Sequence, residues 1–132
     1  MSNNLTNSPN NPLKTLIAVE EDARHFGFEW PNEEMIIDQA ISECDEIRAA
    51  LKGEESRERL QEEIGDLLHT AISLCIFAGF EPEETLAKIT KKFNKRILAL
   101  KEIANTQGFS TLKHQPIELL MELWQQAKQK SR

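Results

Sequence analysis

Two pairs of carboxylates are the residues in this chain whose spacing could do chemistry. Glu43 and Glu46 lie three apart, and so do Glu63 and Asp66. Residues three apart on a helix are surface neighbours, so each pair can present two carboxylates to one point. At about 100° per residue, Glu43 and Glu63 fall at the margins of the apolar stripes of their segments. Helices joined by a short link pack antiparallel, which lets those margins face each other and gathers four acids. Four like charges in one place are unfavourable unless something neutralises them. A hard divalent cation with oxygen ligands does so, and Mg²⁺, with Mn²⁺ as a substitute, suits the donor set. The same spacings are ordinary on solvated helix faces, where Glu is a good helix former. Gly65 weighs against that plain reading. In a helix interior glycine costs about 1 kcal/mol relative to Ala, so its presence suggests that another helix or a ligand comes close.

A second constellation is basic. Lys88, Lys92 and Arg96 recur every four residues, with Lys91 and Lys95 beside them. Lys88, Lys91 and Lys95 read as a solvated face. Lys92 and Arg96 flank Phe93 and sit nearer the apolar margin, where Arg96 could hold a phosphate in a forked geometry. Carboxylates for a metal and cations for phosphates together describe a site for a metal–polyphosphate complex.

The elements that must position these groups are helices. Period-two alternation is absent, and sparse Gly and Pro divide the chain into helical blocks. The patterns predict helices over residues 13–25, 33–51, 57–78, 82–105 and 116–130. Asn32 and Ser56 are the expected N-caps, and Pro82 suits a first helical position. Gly53 and Gly108 are read as stops, whereas Gly27 and Gly65 are not. The second helix carries the apolar stripe Ile37, Ala40, Ile41, Cys44, Ile47 and Leu51. The third is apolar nearly all round beyond Ile64, which implies protein on most sides and, in a chain this short, a partner subunit. The fold expected is all-α, a bundle of four to five helices completed by self-association. Residues 1–12 read as a disordered leader and 13–132 as one domain.

These motifs resemble, in order, the MazG family of nucleoside triphosphate pyrophosphohydrolases. The resemblance rests on SECDEIRAAL, LQEEIGDLLHTAI, KITKKFNKRILALKEIANTQGFSTL and IELLMELWQQAK, spanning roughly residues 30 to 128. It implies Mg²⁺ binding by Glu43, Glu46, Glu63 and Asp66, and phosphate contacts from Lys92 and Arg96. Trp124 matches a tryptophan in contact with the nucleotide, although a core anchor would use the same residue, and Lys128 matches the lysine that follows it. The activity implied is hydrolysis between the α- and β-phosphates of a standard, non-standard or deoxy triphosphate, a house-cleaning type of chemistry. Glu46, with Glu43 beside it, is the expected catalytic pair, Glu46 taking the proton of the attacking water. Ser42 stands where the family often has an acid, and KFNKR lacks a further arginine of many relatives. Both departures bear on substrate choice more than on chemistry. One copy of the module stands where longer relatives carry two, which implies a homodimer or homotetramer.

Composition narrows the alternatives. The chain has 132 residues, 22 acidic against 16 basic, and a formal net charge of −6. Such a field does not favour nucleic acid or an anionic membrane as partner. Its longest apolar stretch is about half of a bilayer span. Cys44 and Cys75 read as small core residues in a reducing compartment, and the expected location is the cytoplasm. The pairs Asp22/His25 and Asp66/His69 only faintly resemble a di-iron bundle, which uses Glu-x-x-His twice. The rival class is a non-catalytic helical protein that binds a nucleotide or a partner through a vestigial metal site.

Overall fold

The computed structural model describes residues 11–132. The expected leader lies outside them but for its last two residues, Asn11 and Pro12. Five helices follow: α1 (Pro12–Phe26), α2 (Glu33–Lys52), α3 (Arg57–Phe77), α4 (Pro82–Thr106) and α5 (Ile117–Lys130). There is no strand among the described residues, so the fold is all-α. No single helix among them is long and apolar enough to cross a membrane.

Local chemistry accounts for the helix ends. The side chains of Asn11, Asn32 and Ser56 each accept a hydrogen bond from a backbone N–H three residues on, at 3.1, 2.9 and 3.1 Å. Each bond satisfies one of the donors that a helix start leaves open. Gly27 ends α1 in the left-handed region (φ 104°), with its N–H donating to Ala23 and Arg24 carbonyls. The sequence reading gave Gly27 no such role, because FGFEW holds no other stop signal near it. At the next link the left-handed residue is Glu54 (φ 52°), not Gly53 (φ −80°).

The described residues form two compact units, the first ending at Thr85 and the second running from Leu86 to Arg132. In the first, α2 and α3 are the packed pair. The face that α2 buries carries Ile36, Glu43 and Ala50, and the face that α3 buries carries Glu63, Thr70 and Ser73. This corrects the stripe expected inside. Ile37, Ile41 and Leu51 are exposed at 39, 56 and 59%, as are Ile64 and Leu68. Cys44 is exposed too, rather than a core residue. Within this chain α2 and α3 turn their acids towards each other and leave apolar sides outward. The second unit centres on Ala99, Ala104, Leu123 and Ala127. Its two helices are tied by Lys130–Glu102 at 2.8 Å and Gln107–Gln126 at 3.3 Å.

Candidate functional site

Glu43 on α2 meets Glu63 and Asp66 on α3. One carboxylate oxygen from each lies within 4.8 Å of the others. Glu43 and Glu63 are only 6 and 5% exposed, whereas Asp66 is exposed. For the buried pair Glu43 and Glu63, repulsion at this separation is on the order of 3–4 kcal/mol at an effective dielectric constant of about 20, and solvent screens the exposed Asp66 further. Arg59, one turn before Glu63, offsets part of this with an ion pair at 2.8 Å. Gln39, one turn before Glu43, donates to Glu43 Oε1 at 2.6 Å.

Glu43 Oε2 is buried and has no hydrogen-bond partner among the described residues. A buried charged oxygen with nothing to bond costs a large part of its hydration. Three hard oxygen donors converging beside such an atom fit a divalent cation of the Mg²⁺ type. Glu46, the fourth acid of the expected set, is outside the converging trio but beside it. Its carboxyl is held above the ordinary value by Glu43, to which its protonated form can donate a hydrogen bond, then by the charges of Glu43 and Glu63.

The remaining candidates belong to the second unit. Lys92 and Arg96 lie one turn apart on α4 on either side of Phe93, Lys92 exposed and Arg96 half-buried. The Phe93 ring stands 6.0 Å from that of Trp124 on α5. Such tilted aromatic pairs are favourable, so Trp124 has a packing role in its own unit. Lys128 follows one turn later, half-buried.

Two expectations change. No atom comes within 4 Å of a Cβ built at Gly65, so close packing among the described residues is not why glycine stands there. His69 does not pair with Asp66: its Nε2 lies 3.0 Å from Glu20 Oε1, which removes the geometry of a di-iron site. Three supporting residues were not foreseen. Gln39 and Arg59 were visible in principle as partners one helical turn from an acid. Glu20 had no local signal. Glu43 and Asp66 also border a cavity of about 560 Å³ lined by Phe28, Trp30, Glu20 and His69.

Residues 32–98 match the family model described as the MazG nucleotide pyrophosphohydrolase domain. The chain is similar to the nucleoside triphosphate pyrophosphohydrolase/pyrophosphatase MazG of Thermotoga maritima, at 34% identity over 122 residues, covering 89% of this chain and 46% of that protein. It is also similar to the nucleoside triphosphate pyrophosphohydrolase of Escherichia coli K12, at 28% identity over 111 residues, covering 83% of this chain and 42% of that protein. It thus spans about half the length of the curated relatives it matches. The matched segment contains both acid pairs and the Lys92/Arg96 pair, and the chain belongs to the MazG nucleotide pyrophosphohydrolase domain family.

Proposed function

We propose that this protein hydrolyses nucleoside triphosphates between the α- and β-phosphates, releasing a monophosphate and pyrophosphate. The observation that carries the reading is Glu43 Oε2, buried and unpartnered beside Glu63 and Asp66 in a chain of this family. Glu43, Glu46, Glu63 and Asp66 would hold Mg²⁺, with Mn²⁺ as a substitute. The bound metal would supply charge neutralisation at the triphosphate and a more acidic attacking water.

The chain's own groups divide the remaining work. Gln39 fixes Glu43 through Oε1, which leaves Oε2 for a ligand. Arg59 is half-exposed and can release Glu63 when a stronger cation arrives. Glu46, beside the converging trio, takes the proton of the attacking water. Lys92 and Arg96 bind phosphate oxygens, and Trp124 and Lys128 contact the nucleotide. The chain works as a homodimer or homotetramer that covers the outward apolar sides of α2 and α3. Exposed Ile41 and Leu68 support this, since apolar surface of that kind marks interaction sites.

The test is incubation with a panel of triphosphates and Mg²⁺, followed by product analysis. Monophosphate and pyrophosphate in equal amounts are expected. Orthophosphate without pyrophosphate, or no product, would overturn the proposal. Glu63→Gln should lower turnover by at least about a hundredfold while the far-ultraviolet helical signal stays. Retained activity would remove Glu63 from the metal site.

A further inference from the structure

The cavity that Glu43 and Asp66 border is also lined by residues of α1 and of the link to α2. Phe28 and Trp30 line it there, and Phe28 is 80% exposed although aromatic. Glu20 of α1 lines it as well, with its side chain only 14% exposed. Glu20 Oε1 accepts from the buried Ser73 hydroxyl at 2.9 Å and lies 3.0 Å from His69 Nε2. With the hydrogen of His69 on Nε2, both lone pairs of that oxygen are used. Glu20 Oε2 has no hydrogen bond among the described residues. A carboxylate serving only to tether α1 to α3 would have finished its work at Oε1. Glu20 lines a cavity whose size suits a small ligand, within the usual range of about 300–1,000 Å³.

A nucleoside triphosphate is flat and aromatic at one end and polyanionic at the other. The cavity's lining offers both kinds of group: the rings of Phe28 and Trp30, and two of the converging carboxylates, Glu43 and Asp66. Bases stack on aromatic side chains and are read along their hydrogen-bonding edges. An oxygen that can only accept favours an amine on that edge and disfavours a carbonyl. We infer that this cavity holds the nucleobase and that Glu20 Oε2 accepts from its exocyclic amine, selecting amino-bearing bases over their oxo counterparts. Cytosine is thereby preferred to uracil, and adenine to hypoxanthine. The inference rests on reading the neighbouring carboxylates as the phosphate end of the site.

The pairs CMP/UMP and AMP/IMP isolate the base, because the two members carry the same sugar and phosphate. Calorimetric titration of the full chain without metal should show the amino member binding about tenfold tighter or more. In Glu20→Gln the amide oxygen can keep Ser73 and His69, which turns the NH₂ group to the cavity as a donor. The preference should then shrink and reverse towards UMP and IMP. A tether alone predicts no change in the ratio. Equal binding within each pair by the unaltered protein, or an unchanged ratio in Glu20→Gln, would overturn the inference. Discrimination among monophosphates without any triphosphate hydrolysis would keep the base pocket and discard the hydrolase. Hydrolysis with one kcat/KM for CTP and UTP would do the reverse.

Discussion

Glu43 has one carboxylate oxygen held by Gln39 and the other buried with nothing to bond. Its neighbour Glu46 feels the consequence. Glu46 binds its proton more tightly when folded, because its protonated form can donate to the Glu43 carboxylate and because Glu43 and Glu63 repel its ionised form. Its contribution to stability is therefore present at low pH and is lost as pH rises from the ordinary 4.5 through the raised value. In metal-free protein, Glu46→Gln should flatten the fall in stability over that interval, read by urea unfolding from acid to neutral pH. An unchanged slope would place Glu46 away from the acidic cluster. Gly65 gives a second prediction at this scale. A Cβ there meets nothing within 4 Å, so Gly65→Ala should raise the stability of the chain by about 0.5–1 kcal/mol. Lower stability in urea would mean that something outside the described residues occupies that space. Both acid pairs were legible as residues three apart. The unpaired state of Glu43 Oε2 was not, since it depends on which atoms surround it.

Helix ends depend on a few adjacent residues, which is why Asn32 and Ser56 could be read as caps and are caps. Gly27 was missed, yet it ends α1 at φ 104° and sends the chain to Phe28, whose N–H returns to the Ala23 carbonyl at 2.9 Å. Gly27→Ala should cost about 1–2 kcal/mol, because an L-residue in that conformation brings Cβ against the following carbonyl. Urea unfolding measures it, and an unchanged midpoint would show that the link has another conformation. Helix phase is a different matter. The apolar positions of α2 were plain, but the face turned to α3 is Ile36, Glu43 and Ala50. An apolar stripe says that a face must be covered, and it leaves open what covers it.

The molecule leaves Ile37, Ile41, Ile64 and Leu68 exposed on α2 and α3. Sequence reasoning asked for a partner around α3, and we propose that a second copy covers these sides. The protein should therefore run as a dimer or larger by multi-angle light scattering, and Ile41→Glu should lower its mass towards that of one chain. An unaltered protein that is a monomer at all concentrations would refute self-association. Ile41 is 56% exposed, so a charge there should leave the helical signal in place.

The sequence by itself determined the five helices, their ends to within a residue or two, the all-α class, and the two pairs of acids three residues apart. These follow from spacing and capping, which act over one or two turns. Only the tertiary structure decided that Glu43, Glu63 and Asp66 meet while Glu46 stays beside them, and that the acidic faces of α2 and α3 are the ones turned inward. It alone brought Glu20 to His69 and Ser73, 49 and 53 residues away. Contacts at that separation are chosen by how whole faces pack, and no local pattern around Glu20 records the choice.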